Sequence, residues 1–478
     1  MKKYLVFLLL MCAVCIQAAK KTYDFRSEGI YYRIDGKNVC VVKGDDLYTG
    51  EVVIPATVEY EDSKFTVAAI DAKAFAGCKQ LTSVIYPETV TSIGENAFQA
   101  CINLRLFSFR RTLTFIANAA FADSGLEEVL LPSTVLNIGD NVFKNCKNLR
   151  SVMVENKTIG ENQFANCISL SDLTLSDTVT YIKRKAFFRC TSLTSVVIPQ
   201  SVNKIEEEVF SGCERLESAD IFNITVAMKQ FVGCKQLSRI TFSENITAIY
   251  EKAFAGCTKI QSFETPAKLQ IIGDYVFQNC NRLATVQLGN SLTYIGKKAF
   301  AGCAMEQVTI PSSIKKLGEG TFQSCKNLRT VILENACISD NEFQGCVKLR
   351  NIVFRVTPYR ISKDAFNGCI SLLGLALPEG LCVIESNAFR GCKAVKSVRL
   401  PSTVVQISQG AFARCTALDY IRCAAVQVPA TANGAFSGIA KKTLKIEVPE
   451  ESLEAYRKTA GWKSLQPKNG QVFYPILL

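Results

Sequence analysis

The sequence predicts an α/β-type repeat solenoid, a right-handed coil in which each rung of about 23 residues contributes one parallel strand. Three observations predict this fold. An aromatic residue recurs at a nearly constant interval, three other residue types keep the same phase, and a short apolar alternation precedes a proline in many intervals. The chain has 478 residues, too long for one ordinary hydrophobic core, whereas a repeat array grows by adding rungs.

The recurring aromatic residue is phenylalanine, at intervals of 21 to 23 residues. In most units an Ile stands five residues before it, an Ala directly before it, and a Cys three residues after it. No single unit can bury all of these side chains, but stacked units can, because each inward column continues from rung to rung. The phenylalanines are Phe75, Phe98, Phe121, Phe143, Phe164, Phe187, Phe210, Phe231, Phe254, Phe277, Phe300, Phe322, Phe343, Phe366, Phe389 and Phe412, with a weaker unit at Phe436.

The unit over residues 187–210 shows why each rung contains a strand. Val196 and Ile198 alternate with two other residues in period two, as in a half-buried strand. Pro199 cannot donate a backbone hydrogen bond, so the strand ends there. In several units a glycine follows the Ile, which suits a tight bend. These glycines are Gly94, Gly139, Gly273 and Gly296.

The consensus IPxSVxxIGxxAFxxCxxLxxVxIP resembles the BspA-like class of bacterial leucine-rich repeats over residues 65–440. The resemblance implies about 16 to 17 rungs, an N-terminal cap over residues 20–64 and a C-terminal cap over residues 441–478. Trp462 lies in the cap-like segment, where we expect it to pack under the last rung. Three units of 21 residues depart from the consensus because they lack its Ile-Pro element. A parallel β-helix is the alternative fold, but it needs several strands per rung and the sequence shows one.

Residues 1–19 have the pattern of a secretory signal peptide. Lys2 and Lys3 precede an apolar run over residues 5–14, and small residues follow, so we expect cleavage after Ala18 or Ala19. No later stretch reaches the roughly 18 apolar residues of a membrane span. We therefore expect an exported protein (secreted, at the cell surface or in the periplasm) with no integral membrane segment after cleavage.

The composition removes many kinds of active site. The chain has no histidine, which excludes Ser-His-Asp and Cys-His sites and histidine zinc ligands. No phosphate-binding loop or dinucleotide fingerprint is present. The net charge of +12 is not concentrated in one basic segment, so it does not indicate a nucleic-acid partner. We expect no enzyme activity, no cofactor and no metal.

Cysteine is abundant, with 21 residues, most of them in the column after the phenylalanine. Side chains of one column point the same way on adjacent rungs, at a spacing larger than the roughly 3.8 Å between Cβ atoms that a disulfide prefers. We therefore predict buried thiols that act as small apolar fillers. Structural disulfides and a metal site are the alternatives.

The residues seven, eight and ten positions after each phenylalanine are expected to line the concave face of the coil. Most are small and polar, and a basic group lies toward the C-terminal end. One hypothesis is that this group forms a site for an acidic partner; the alternative, which we favour, is that its members are solvated face residues that keep strand edges apart. The candidates are Arg329, Arg350, Lys396, Arg399, Tyr420 and Arg422. Arg329 and Arg350 fall in one column on adjacent rungs, so their charges repel unless an anion joins them.

The resemblance implies a non-catalytic, secreted or cell-surface scaffold that binds proteins, adhesin-like toward host extracellular matrix or other cells. The alternative is an envelope structural or glycan-binding component with no host protein partner. We expect a monomer in either case.

Overall fold

The computed structural model describes residues 22–467 and 470–476, so the expected signal peptide over residues 1–19 lies outside the described residues. The chain divides into two compact units, Met1–Thr191 (unit 1) and Ser192–Leu478 (unit 2). Each unit is a solenoid of parallel strands with rungs of about 23 residues, which confirms the predicted fold class.

Most rungs of unit 1 contain a long strand and a short strand. The long strand is the one predicted from the period-two alternation. The short strand has two residues and carries the recurring Ile, and two residues are too few to show a period in the sequence. The long strands are Gly50–Val53, Leu81–Ile85, Glu128–Leu131, Ser151–Val154 and Asp172–Leu175. The short strands are Ser92–Ile93, Phe115–Ile116, Asn137–Ile138, Thr158–Ile159 and Tyr181–Ile182.

The N-terminal end of unit 1 is antiparallel. Here the strands Phe25–Ser27, Ile30–Asp35 and Asn38–Val41 form a meander, and Thr57–Tyr60 pairs with Ser63–Ile70. Asn38–Val41 then pairs in parallel with Ser63–Ile70. Ser63–Ile70 in turn pairs in parallel with Ser92–Ile93, the short strand of the next rung. This arrangement covers the first rung instead of leaving a bare strand edge.

Unit 2 repeats the same two strand types over more rungs. Its long strands are Ser195–Ile198, Ser218–Ile221, Arg239–Phe242, Ser262–Glu264, Thr285–Gln287, Gln307–Ile310, Thr330–Leu333, Asn351–Phe354, Gly374–Ala376, Ser397–Leu400, Tyr420–Cys423 and Lys445–Val448. Its short strands are Lys204–Ile205, Thr225–Val226, Ala248–Ile249, Ile271–Ile272, Tyr294–Ile295, Lys316–Leu317, Arg360–Ile361, Val383–Ile384, Gln406–Ile407 and Ala430–Thr431.

The C-terminal end of unit 2 is helical. A 3-10 helix, Glu450–Ser452, precedes the α-helices Leu453–Lys458 and Ala460–Lys463, and the strand Phe473–Pro475 follows. Trp462 is fully buried, with its ring centroid 5.6 Å from that of Phe436. The expectation that this tryptophan packs against the last repeat is therefore confirmed.

The phenylalanine column forms the centre of each core. Neighbouring ring centroids are 4.9 to 5.5 Å apart in unit 1 and 5.3 to 5.7 Å apart in unit 2. Within each unit these rings are stacked nearly parallel, and they are completely buried at most positions. Such offset aromatic pairs contribute about 0.5–1.5 kcal/mol each beyond the burial of their surface. The repeated spacing read from the sequence thus becomes continuous packing.

The glycines that follow the recurring Ile have a different role from the predicted bend. A Cβ atom on Gly139 would lie 2.5 Å from the backbone nitrogen of Asn118 on the preceding rung. On Gly318, which follows Leu317 at the equivalent position of its rung, it would lie 2.2 Å from the backbone nitrogen of Lys297. Neither glycine has a positive φ angle. Close approach of adjacent rungs, and not an unusual backbone conformation, therefore requires glycine here.

Candidate functional site

The strand face is the solvent-facing side of the long strands, together with the residue that precedes each of them. In the strand Ser195–Ile198 the first and third side chains are exposed and the second and fourth are buried. The same alternation holds in Glu128–Leu131. Exposed side chains therefore stand in register on successive rungs, where they are available to a partner.

Arg329 and Arg350 directly precede two paired strands, Thr330–Leu333 and Asn351–Phe354. The backbone nitrogen of Arg350 donates to the carbonyl oxygen of Arg329 at 2.9 Å, so the two residues do share one column. The Nε atom of Arg329 lies 3.7 Å from an Oε2 atom of Glu306 on the preceding rung. Glu306 thus supplies part of the negative charge that we had expected an external anion to provide between the two arginines. This ion pair is exposed, so it is weak.

Lys396, Arg399 and Arg422 lie further along the strand face. Lys396 is exposed directly before the strand Ser397–Leu400, and Arg399 is the direct register neighbour of Arg422. The next residue in that column is Glu447, on the strand Lys445–Val448. The column therefore runs basic, basic, acidic.

Tyr420 is hydrogen-bonded to Glu447, the acidic residue of this column. Its hydroxyl donates to Oε2 of Glu447 at 2.5 Å, and Nζ of Lys445 lies 2.8 Å from Oε1 of the same carboxylate. The hydrogen bond from Lys445, followed by the one from Tyr420, lowers the pKa of Glu447. We call Lys396, Arg399, Tyr420 and Arg422 the C-terminal cluster.

The structure places the six candidate residues in two groups. Arg329 and Arg350 accompany the sheet that ends with Asn351–Phe354, and the C-terminal cluster belongs to the sheet that begins with Gly374–Ala376. Among the described residues, no strand pairing joins these two sheets. The sequence could give the column of each residue, but not the place where the sheet divides.

Two grooves open on the strand face where the sheet divides, and no sequence pattern had marked them. One, of about 580 Å³, lies between Arg239–Phe242 and Ser262–Glu264. The other, of about 480 Å³, lies between Thr285–Gln287 and Gln307–Ile310. Both adjoin strands of three residues, whereas most long strands have four. A short strand therefore marks the position of each groove, but the length of a strand is known only once its hydrogen bonds are seen in the structure.

A second feature that the sequence analysis missed is an apolar row on the strand face of unit 1. Five large apolar side chains are 39% to 64% exposed on the long strands and the adjoining bridge of successive rungs. They are Val53, Ile85, Leu106, Leu130 and Met153. The alternation of the sequence assigns them outward positions, but Leu106 lies in a different column from the other four, so no single column indicated the row.

The cysteine column is a ladder of thiols. The Sγ atom of Cys257 donates to the carbonyl oxygen of Phe231, 3.2 Å away on the preceding rung, and Cys280 contacts Phe254 in the same way at 3.3 Å. Burial raises the pKa of Cys280 to about 12. Such thiols are protonated at neutral pH and unreactive. The nineteen described cysteines are free of disulfides, which agrees with the prediction of buried thiols.

Each of the three 21-residue rungs buries a pair of long polar side chains that the other rungs lack. Each has an asparagine and, seven residues later, a glutamine or glutamate directly before the phenylalanine. The pairs are Asn156 and Gln163, Asn223 and Gln230, and Asn335 and Glu342. Burial raises the pKa of Glu342 to about 8, and its carboxyl group contacts the hydroxyl of Ser339.

No group of three or more Cys, Asp or Glu side chains within the described ranges is arranged to hold a metal ion. In the same part of the chain, no helix is long and apolar enough to cross a membrane.

A family model described as "BspA type Leucine rich repeat region (6 copies)" matches residues 68–158, 157–264, 247–339 and 336–459. Among solved structures, a leucine-rich repeat protein from Bacteroides ovatus is 25% identical, with a TM-score of 0.57, over 95% of this chain and all of that protein. A leucine-rich cell surface protein from Faecalibacterium prausnitzii is 23% identical, with a TM-score of 0.39, over 84% of this chain and 94% of that protein. No curated protein matched the sequence.

Proposed function

Since the chain belongs to the BspA-type leucine-rich repeat family, we propose that it is an exported, non-catalytic scaffold that binds a protein partner through its strand face. The observation that carries this proposal is the register of the long strands, which holds exposed side chains at fixed spacing on successive rungs. A surface that is already ordered binds without a large loss of conformational entropy.

The proposed partner is acidic and belongs to the host extracellular matrix or to another cell, so the role is adhesin-like. The basic residues of both groups support an acidic partner, because their positive charge is only partly balanced by Glu306 and Glu447. Arg329, Arg350, Lys396 and Arg399 are exposed, and Arg422 is half-buried. Charge of this kind raises the association rate and makes binding sensitive to salt. Export is supported by the signal pattern of residues 1–19.

The test uses the mature chain, residues 20–478, immobilised and exposed to purified extracellular-matrix proteins and, separately, to cell-wall glycans. We expect binding to a matrix protein that weakens at least tenfold in the double variant Arg329→Glu, Arg350→Glu and in the double variant Arg399→Glu, Arg422→Glu. The matched control is Lys315→Glu, Lys316→Glu, which reverses two exposed charges at a short strand.

Binding to glycans alone would favour an envelope component with no host protein partner. If both double variants bind the matrix protein as tightly as the wild type does, the binding site does not include these basic residues. Protease treatment of intact cells, followed by detection of the chain, tests surface exposure separately.

A further inference from the structure

The apolar row of unit 1 has one member on each of five successive rungs, four in one column and Leu106 in the column beside it. Val53 is the register partner of Ile85, and Leu130 is the register partner of Met153. Leu106 is the bridge partner of Ser83, two residues before Ile85, so the exposed Ser108 takes the place in the column on that rung. The rung of Leu106 adjoins that of Leu130, since the backbone nitrogen of Glu127 donates to the carbonyl oxygen of Arg105 at 3.0 Å. With strands about 4.8 Å apart, the row is about 19 Å long.

Carboxylates border the apolar row. Glu51, Glu128 and Asp172 lie in the column that also holds Leu106. This column is two residues before that of Val53, Ile85, Leu130 and Met153. Two of them accept hydrogen bonds from serine hydroxyls at 2.9 to 3.0 Å, and none of the three forms an ion pair with another described residue. Of the adjoining bases, Arg105 is paired with Glu127 at 3.1 Å, and Arg150 is exposed in the same column as these two residues.

The corresponding positions in unit 2 are mostly polar or charged. They include Asp220, Thr241, Glu264 and Gln287. The apolar row is therefore a property of unit 1 and not of the repeat. Contiguous exposed apolar surface with a polar border is typical of interaction sites.

We propose that the apolar row binds a basic amphipathic α-helix of a partner protein, laid across the strands. Apolar side chains recur about every 5.4 Å along one face of a helix, close to the spacing of the rungs, whereas same-face residues of an extended strand recur about every 6.8 Å. A helix of about 13 residues spans the row. Lysine or arginine flanking its apolar face reaches Glu51, Glu128 and Asp172.

This inference rests on the proposed scaffold role, but it uses none of the basic residues proposed for the acidic partner. The two sites therefore fail independently: charge reversal at Arg329 and Arg350 leaves helix binding unchanged, and loss of the apolar row leaves binding of the acidic partner unchanged.

The test measures the fluorescence anisotropy of a labelled 14-residue leucine–lysine peptide, with its leucines on one helical face, against the mature chain. We expect saturable binding with helical circular dichroism in the bound peptide. The variant Leu106→Ser, Leu130→Ser, Met153→Ser should weaken binding at least tenfold. The matched control Val197→Ser, Leu373→Ser, Val405→Ser removes similarly exposed residues from unit 2 and should change binding less than twofold.

Two further measurements test whether the bordering carboxylates attract a basic helix and whether a second copy of the chain binds the apolar row instead. The variant Glu51→Gln, Glu128→Gln, Asp172→Asn should weaken binding and reduce its salt dependence, and a leucine–glutamate peptide should not bind to the wild-type protein. Equal binding by the two serine variants, or binding of the acidic peptide, would overturn the proposal. So would a dimer, detected by light scattering, that dissociates in the Leu106, Leu130, Met153 variant, because a second copy would then occupy the row.

Discussion

Glu342 occupies, in the third 21-residue rung, the position that Gln230 occupies in the second. The Oε1 atom of Gln230 accepts a hydrogen bond from the backbone nitrogen of Ala227 at 2.7 Å, and the carboxyl group of Glu342 contacts Ser339, which also stands three residues earlier. Both side chains are fully buried, and each has one polar atom without a protein partner. A protonated glutamate has the shape and neutrality of glutamine, so Glu342 serves as a glutamine as long as it keeps its proton.

Replacing Glu342 with glutamine should stabilise the protein at pH 8 and above. Burial raises the pKa of Glu342 from 4.5 to about 8 in the folded state, so the folded state binds its proton more tightly than the unfolded state. The stability that this residue contributes is complete below about pH 4.5 and is lost progressively as the pH rises to about 8. At pH 8 the free energy of unfolding has fallen by an amount on the order of 4 kcal/mol. Thermal unfolding of both proteins from pH 5 to pH 9 measures it.

The reciprocal control is Gln230→Glu, which places an acid in the matching position. This variant should be less stable than the wild type at pH 8 and should recover toward pH 5. If Glu342→Gln shows the same pH dependence as the wild type, the carboxyl group is not protonated in the folded protein.

Most of the fold could be predicted because the same buried residue types recur at the same positions from repeat to repeat. One inward phenylalanine is a weak signal, but Phe75, Phe98 and their successors fix a column. The strand ends were visible for the same reason. The reason for the glycine at position 139 was not, because the distance between two rungs has no counterpart in a single sequence.

The surface was harder to predict than the core. Arg329 and Arg350 could be assigned to one column, yet the ion pair of Arg329 with Glu306 depends on side-chain reach and not on spacing. The apolar row was missed because its members belong to two columns, with Leu106 in one and Leu130 in the other. A face that must meet a partner need not repeat, so periodicity does not reveal it.

Thiol reagents should modify very few cysteines in the native protein. Sixteen of the nineteen described cysteines are buried, and Cys40, Cys337 and Cys382 are partly exposed. We expect at most these three to react with a chromogenic disulfide reagent at pH 8, and the others to react after denaturation without reductant. A denatured count far below nineteen would show that disulfides form in the exported protein.

Gly318→Ala should destabilise unit 2 by about 1–3 kcal/mol, because the new Cβ atom would lie 2.2 Å from the backbone of the preceding rung. Gly374→Ala is the matched control. It also has no positive φ angle, and its nearest neighbour, the hydroxyl of Ser397, would be 3.4 Å away. Denaturant unfolding of the two variants compares them. A Gly374 variant as unstable as the Gly318 variant would show that close rung packing is not the cause.

Trp462→Ala should lower the stability of the C-terminal end by about 3–5 kcal/mol, because it removes the buried ring that packs on Phe436 and Tyr456. Hydrogen exchange should increase first in the last strands of unit 2, around Lys445–Val448. Since this is the one tryptophan in the chain, its fluorescence in the wild-type protein reports the same region. Unchanged exchange in the variant would mean that the helices do not protect the last rung.

Cys257 and Cys280 each donate to the carbonyl oxygen of a phenylalanine one rung before, so a complete unit of this kind carries its own donor and acceptor and can be exchanged as a whole. Deleting residues 255–277 would bring Cys280 to the position that Cys257 now holds, opposite Phe231. Insertion or deletion of a whole 23-residue unit would therefore change the length of the solenoid by one rung and keep each thiol opposite a carbonyl oxygen.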